Sequence, residues 1–129
     1  MIGVWSGHAQ SFLLIFGIAA GLTFSLPILL APIAWAKVFR WDNPDDTDLA
    51  VYFGRCLGVF LVVLNGFVIR AGDTGDGVAW IFPLLILIFA GMTIVHIWGA
   101  IQRIQPITET IEIGFYFAMF MLGLMFWPA

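Results

Sequence analysis

Four long apolar runs, separated by short polar segments, dominate the order of residues along this chain. Each is long enough for a membrane-spanning helix, which needs about 20 apolar residues; the runs cover about 11–36, 49–69, 78–101 and 107–127. Apolar and polar residues do not alternate with a period of two, which argues against a membrane β-barrel. The pattern predicts an all-α fold, a four-helix transmembrane bundle with short loops. It forms one domain over 1–129, with helices near 9–36, 44–70, 78–102 and 107–127.

The polar connectors carry signals for helix ends. Asn43 and Pro44 fit an N-cap and a first helical position at the start of the second helix. Gly72 fits a C-cap and Asp76 fits an N-cap on the two sides of the second turn. The first apolar run is too long for a straight span, so we expect a kink or a strong tilt near Pro27.

Composition supports a membrane location. Of the 129 residues, 62% are hydrophobic and 10% are charged, and the mean hydropathy is +1.05. Soluble domains have roughly 45–50% apolar and about 25% charged residues. The net charge of -3, without any basic run, argues against nucleic acid as a partner. The single cysteine, Cys56, cannot form a disulfide within the chain and is expected to be a small packing residue.

The few basic residues favour one orientation in the membrane. Lys37, Arg40 and Arg103 belong to the first and third connectors, whereas the second connector has only Arg70. The positive-inside rule therefore predicts that the first and third connectors face the cytoplasm and that both termini lie outside. The N-terminus lacks the basic segment of a secretory signal, so we expect the first apolar run to be retained as a helix.

Small residues form a stripe on each of the first two predicted helices. Lipid supplies no hydrophobic drive between helices, so close backbone contact through small residues matters more. The stripes are predicted to pack against each other, and docking of a partner's helix is the alternative. Their members are Gly17, Gly21 and Ser25 on the first helix and Gly54, Gly58 and Asn65 on the second.

Ionisable residues inside apolar spans are the main candidates for chemistry, because they are costly there. Helical spacing places six polar residues towards the same end of the bundle, which are Arg55, His96, Arg103, Glu109, Glu112 and Tyr116. If the third and fourth helices meet along these faces, the arginines can pair with the glutamates. A salt-bridge clamp that fixes helix register is the favoured interpretation. A proton or anion relay, or a site for a polar headgroup, is the alternative.

Neither a metal nor haem is predicted from these residues. Carboxylate-bridged di-iron bundles need Glu-x-x-His motifs, and the spacing of Glu109 and Glu112 with His96 does not supply them. His8 and His96 lie towards opposite ends of the predicted bundle, so one chain is not expected to hold a haem between them. A haem with one ligand from each of two chains stays open. Lipid is the expected ligand.

The segment Tyr52-Phe53-Gly54-Arg55-Cys56-Leu57-Gly58, together with the four spans, resembles the start of DoxX-like bacterial membrane proteins. The resemblance covers these few residues and the topology. It implies a four-helix bundle, in a group with no single settled activity. It assigns no functional residue to this chain. The predicted location is a bacterial inner membrane.

The sequence favours a non-catalytic role, because the spans leave only short loops for chemistry in water. We expect an accessory or scaffold subunit of a larger membrane complex, which packs against other integral membrane subunits and against lipids or hydrophobic cofactors. The alternative is a small homo-oligomeric transporter or channel with a polar path of arginine, histidine and glutamate. A membrane enzyme or haem carrier is the third hypothesis.

Overall fold

The computed structural model describes residues 1–128, and in that range the regular structure is entirely helical. The helices are α1 Ala9–Ala20, α2 Leu26–Leu30, α3 Pro32–Val38, α4 Asp48–Thr74, α5 Val78–Gln102 and α6 Ile107–Met125. Four segments are long and apolar enough to cross a membrane, namely Ser6–Leu30, α4, α5 and α6. The predicted fold class, an all-α four-helix transmembrane bundle, is confirmed.

The first span is irregular in the turn before Pro27. Residues Gly21–Ser25 form a π-helical turn between α1 and α2. Proline has no N–H, so Pro27 cannot donate to the carbonyl oxygen of Thr23 four residues earlier. The indole N–H of Trp35 donates to that oxygen instead, at 3.0 Å. The irregularity expected near Pro27 therefore lies one turn earlier, where the helix adapts to the proline.

The next helix, α3, does not continue the first span. Ala31 has φ -143° and ψ 61°, outside the helical region, because a residue before proline is sterically disfavoured there. In a straight helix Trp35 would lie about 18 Å beyond Thr23, yet the two are hydrogen-bonded. The chain therefore turns back after Ala31, and the predicted single helix over 9–36 is wrong.

The two stripes of small residues pack against each other where the first span and α4 run antiparallel. A Cβ on Gly17 would lie 2.8 Å from Ile69 Cγ1, and a Cβ on Gly58 would collide with the backbone of Leu29. The contact between the stripes also includes Gly21 against Asn65 and Gly54 against Pro32. Such close approach of backbones is how helices associate in lipid. The stripes are consequently used inside the fold.

A buried hydrogen bond joins the same two stripes. Asn65 Nδ2 donates to Ser25 Oγ at 2.6 Å, and both side chains are buried. The Ser25 hydroxyl donates in turn to the carbonyl oxygen of Ala20, at 3.4 Å. An unpaired polar group in an apolar interior is costly. This bond therefore fixes the register of α4 against the π-helical turn.

The second antiparallel pair is formed by α5 and α6. Helix α5 ends at a left-handed Arg103 with φ 57°, and Ile104 N–H donates back to Gly99 O at 3.2 Å. This is the hydrogen-bond pattern of a Schellman C-cap. Helix α3 is followed by a left-handed residue as well, Arg40 with φ 64°. Both arginines thus lie at helix C-termini, where the helix dipole favours positive charge.

Phenylalanine rings join the two helix pairs near the chain ends. Phe12 lies 6.0 Å from Phe82 and 4.7 Å from Phe126, measured between ring centroids. Phe16 meets Phe89 edge to face at 5.3 Å. The side chain of Phe82 is fully buried. These rings pack the first span against the α5–α6 pair.

The two chain ends are hydrogen-bonded to each other. Gly3 N–H donates to Leu124 O and Trp5 N–H donates to Met125 O, both at 2.9 Å. The last carbonyls of a helix have no partner within the helix. The segment before α1 therefore completes the C-terminal end of α6.

The predicted start of α4 at Pro44 is wrong. Helix α4 begins at Asp48 after Thr47, and residues 43–47 are not helical. Asp46 Oδ1 accepts a hydrogen bond from Asp48 N–H at 3.0 Å. This local turn starts the helix four residues later than the Asn43-Pro44 signal indicates.

The predicted caps of the second turn are also wrong, although α5 has the predicted bounds. Helix α4 continues through Gly72 to Thr74, and its C-cap is Gly75 with φ 82°. The residue before α5 is Gly77, with φ 86°, and it takes the N-cap position expected for Asp76. A Cβ on Gly72 would collide with the backbone of α1, so this glycine allows close packing of α4 against α1 and does not end the helix.

Candidate functional site

Three ionisable side chains from α5 and α6 meet inside the bundle. His96 lies near the C-terminal end of α5, and Glu109 and Glu112 lie one turn apart on α6. His96 Nε2 is 3.1 Å from Glu109 Oε2 and 3.6 Å from Glu112 Oε2. The three residues are 5%, 8% and 8% exposed, respectively. We call these residues the His–Glu cluster.

The backbone of α5 fixes the ring of His96. Nδ1 lies 2.7 Å from the carbonyl oxygen of Met92. A carbonyl only accepts, so Nδ1 must carry the proton of this bond. Nε2 is therefore the atom that faces the carboxylates of Glu109 and Glu112. Two carboxylates this close repel each other, so a proton or another cation has to compensate their charge.

The connector between α3 and α4 covers one side of the His–Glu cluster. The indole N–H of Trp41 donates to Glu109 Oε1 at 2.8 Å. The hydroxyl of Thr108 donates to the carbonyl oxygen of Phe39. Both carboxylate oxygens of Glu109 are thus engaged, whereas Glu112 Oε1 has no hydrogen-bond partner within residues 1–128.

The turn between α5 and α6 brings His96 and Glu109 together. Gln105 Nε2 donates to the carbonyl oxygen of His96 at 3.0 Å and to Thr110 Oγ1 at 3.2 Å. A Cβ on Gly99 would collide with Gln105 Oε1. Glycine at this position therefore lets the Gln105 side chain fold back against α5 and set the approach of the two helices.

Four of the six residues predicted for this cluster lie together. Tyr116 joins the His–Glu cluster, since its ring centroid is 4.9 Å from that of His96. Arg55 and Arg103 are exposed. Neither arginine forms an ion pair with a glutamate anywhere in the described part of the chain. The predicted arginine–glutamate clamp is therefore wrong.

The backbone explains why both arginines miss the cluster. Gly54 faces Pro32 in the packed stripe, and the next side chain, Arg55, points about 100° away from it around the helix. Arg103 is the left-handed residue that ends α5, so it no longer follows the helical face that carries His96. Sequence spacing alone places Arg103 on the same helical face as His96, although it lies one residue beyond the predicted end of the helix.

A cavity of about 780 Å³ lies between the two helix pairs. Its wall is mostly apolar, with side chains such as Phe16, Leu85 and Met119. The polar groups that border it include the His–Glu cluster with Tyr116, Thr23, residues 41–43 of the connector and the Ser25–Asn65 bond. Asn43 Nδ2 is buried and, among residues 1–128, has no hydrogen-bond partner. The cavity therefore has an apolar body and polar end groups.

Sequence reasoning missed three residues that build this site. Trp41 fits an interfacial aromatic, Asn43 fits a helix cap, and Gln105 precedes a proline, so none of them stands out. Trp41 meets Glu109 across 68 positions of sequence. No local pattern reports a contact of that separation, and only the fold brings these residues to the cavity.

Comparisons with known proteins do not assign a role to this site. No family model, curated protein or solved structure matches this chain. The resemblance to DoxX-like proteins thus remains a prediction.

Proposed function

We propose that this protein is a non-catalytic membrane subunit that binds an amphipathic lipid or a similar hydrophobic molecule between its helix pairs. The cavity carries this proposal, because it combines an apolar wall with polar groups from the connector and the His–Glu cluster. Its volume of about 780 Å³ lies within the range of roughly 300–1,000 Å³ that is usual for small-molecule sites.

Asn43, a half-buried residue that lines the cavity, indicates the kind of head group that the cavity would accept. Asn43 Nδ2 is a donor with no hydrogen-bond partner in the described residues. A buried donor without a partner costs about 1–3 kcal/mol, and a carbonyl or hydroxyl oxygen of a ligand would remove this cost. The apolar part of the ligand would then lie against Phe16, Leu85 and Met119, which line the cavity.

Analysis of co-purified molecules tests the binding proposal. The full chain would be purified in a mild detergent, extracted with organic solvent and analysed by mass spectrometry. Ala20 lines the cavity, so Ala20→Phe should fill it and lower the retained molecule several-fold. Ala118 on α6 is exposed, so Ala118→Phe is the matched control and should retain the wild-type amount.

Equal retention by both variants would contradict the proposal, since the molecule would then be bound on the outer surface. The proposal would also be contradicted if the wild type retained only the lipid mixture of the membrane, without enrichment of any species. Both variants must first elute as monodisperse particles, so that a loss of the ligand reports on the cavity and not on unfolding.

The second part of the proposal is association with other integral membrane subunits. Because the small-residue stripes are used within the fold, a partner helix would meet large apolar side chains such as Phe60 and Trp98, which are 76% and 61% exposed. Native electrophoresis of mildly solubilised membranes should then give a complex with stoichiometric larger subunits. A homogeneous homodimer without such subunits would contradict this part.

We also propose a bacterial inner membrane with both termini outside the cytoplasm. Lys37, Arg40 and Arg103 support this orientation through the positive-inside rule. In a Cys56→Ser background, a membrane-impermeant thiol reagent should label Asp76→Cys in intact spheroplasts. It should label Gln102→Cys only after permeabilisation. The reverse labelling pattern would contradict the orientation.

A further inference from the structure

We propose that the His–Glu cluster binds one divalent transition-metal ion, with Zn²⁺ as the reference ion. The ligands would be His96 Nε2 and one carboxylate oxygen from each of Glu109 and Glu112. The three side chains each offer a ligand atom, and these atoms lie within 4.8 Å of one another. The inference goes beyond the proposed binding of a lipid and does not depend on it.

The spacing of the ligand atoms fits a metal ion. Two ligands at about 2.1 Å from a tetrahedral zinc ion lie about 3.4 Å apart. His96 Nε2 is 3.1 Å from Glu109 Oε2 and 3.6 Å from Glu112 Oε2. Turning the carboxylates towards a common centre would bring all three atoms to bonding distance of one ion.

The outer hydrogen bonds of the cluster are those that metal ligands need. A metal-bound histidine usually donates its other ring N–H to a carbonyl or carboxylate, which fixes the tautomer and the ring. His96 does so through Nδ1 and the carbonyl oxygen of Met92, at 2.7 Å. Glu109 Oε1 accepts from Trp41 Nε1 at 2.8 Å, which leaves Oε2 directed towards His96.

Glu112 supplies an independent observation. The residue is 8% exposed, and within the described range its Oε1 atom has no hydrogen-bond partner. A buried carboxylate with one oxygen that lacks a donor is costly, and a metal ion bound at this carboxylate would lower that cost by compensating its charge. A divalent cation would also balance two ionised carboxylates beside a neutral imidazole, which makes the cluster neutral inside an apolar bundle.

The chemistry of the ligands narrows the choice of ion. One imidazole and two carboxylates suit Zn²⁺, Fe²⁺ or Mn²⁺ better than thiolate-preferring ions such as Cu⁺. Three protein ligands leave a coordination position open, and the cluster borders the cavity. The missing Glu-x-x-His motifs argue against a carboxylate-bridged di-iron pair, but a single ion does not require them.

Metal content after equilibrium loading tests the inference. The full chain, purified without a polyhistidine tag and stripped with a chelator, would be loaded with Zn²⁺, desalted and analysed by elemental mass spectrometry. We expect about one zinc ion per wild-type chain and a raised Tm, because binding to the folded state stabilises it. His96→Ala and Glu112→Gln should lose the ion, whereas His8→Ala, which changes the exposed second histidine, should keep it.

Zinc at background level in the wild type would overturn the inference, and so would wild-type retention by His96→Ala. If His96→Ala and Glu112→Gln fail to fold, Trp41→Phe decides, because it removes only the outer hydrogen bond to Glu109. Loss of such a partner weakens metal binding by roughly 10–100-fold, so an unchanged zinc affinity in that variant counts against the site. Lipid content is measured separately, so the two proposals fail independently.

Discussion

At the scale of single residues, hydrogen bonds between distant side chains decide how the spans meet. The bond from Asn65 to Ser25 is short and buried, and it lies at the π-helical turn. The bond from Trp41 to Glu109 crosses from one helix pair to the other. Each connects two elements, whereas the backbone hydrogen bonds of a helix stay within that helix.

A double-mutant cycle on Asn65→Leu and Ser25→Ala should show coupling. Interhelical hydrogen bonds in membranes contribute about 0.6 kcal/mol on average and up to about 1.7 kcal/mol, and the buried location of this pair places it in the upper part of that range. The coupling would be measured from the free energies of unfolding in mixed micelles. Strictly additive effects would contradict a direct bond.

Replacement of Trp41 tests the bond between the helix pairs in the metal-free protein. Trp41→Phe should lower the free energy of unfolding by about 1 kcal/mol, since it leaves Glu109 Oε1 without its donor. Trp80 is 81% exposed, so Trp80→Phe is the matched control and should have little effect. Equal losses of stability in the two variants would show that Trp41 acts only as an apolar ring.

At the scale of elements, the contact between the first span and α4 depends on glycine. Alanine substitutions at two glycines of α4 distinguish the effect of close packing from the effect of helix propensity. Gly58→Ala should destabilise the protein by about 1–3 kcal/mol, because its Cβ would collide with the backbone of Leu29. Gly66 has no neighbouring atom at the Cβ position. Gly66→Ala should leave stability unchanged or raise it by up to about 1 kcal/mol. Thermal unfolding in one detergent compares the two, and equal effects would contradict a packing role for Gly58.

The elements also show where sequence reasoning succeeds and where it stops. Apolar length suffices to find all four spans, because a bilayer selects for it. The bounds of α5 are also predicted, because the polar turn before Val78 and the Gln105-Pro106 break enclose the apolar run, even though Gly77 and not Asp76 precedes the helix. The division of the first span is not, because a following proline breaks the helix at Ala31 but not at Leu26, which stays helical before Pro27. The cap signal at Asn43 fails because Asp46 makes a competing local turn.

At the scale of the whole molecule, two helix pairs are joined by aromatic rings near the chain ends and by polar bonds near the His–Glu cluster. Phe82 is 0% exposed in the ring cluster, whereas Phe60 is 76% exposed on α4. Phe82→Ala should cost about 3 kcal/mol or more, because it removes packing that the neighbours cannot refill. Phe60→Ala should change stability by about 0.5 kcal/mol or less. Equal losses in the free energy of chemical unfolding for the two variants would contradict a role for the Phe82 ring in joining the helix pairs.

The same scale explains how much of the candidate site the sequence could predict. His96, Glu109 and Glu112 stand out because ionisable groups are rare in apolar spans, and helical spacing places them at one end. Their partners were predicted wrongly, since Arg103 ends its helix in a left-handed conformation. Trp41 enters the site from a connector, whose path no periodicity describes. The cavity itself is a property of the assembled helix pairs and has no signal in any one segment.

The hydrogen bonds from Gly3 and Trp5 to Leu124 and Met125 place the segment before α1 beside the end of α6, so we expect the protein to tolerate a change in the order of its helix pairs. A short linker between the paired ends, with a new opening in the turn at 75–77, would give a circular permutant that begins with α5 and finishes with α4. The spans would keep their directions and their neighbours. The molecule thus consists of two helical hairpins that can be linked either through the turn at 75–77 or through the paired chain ends.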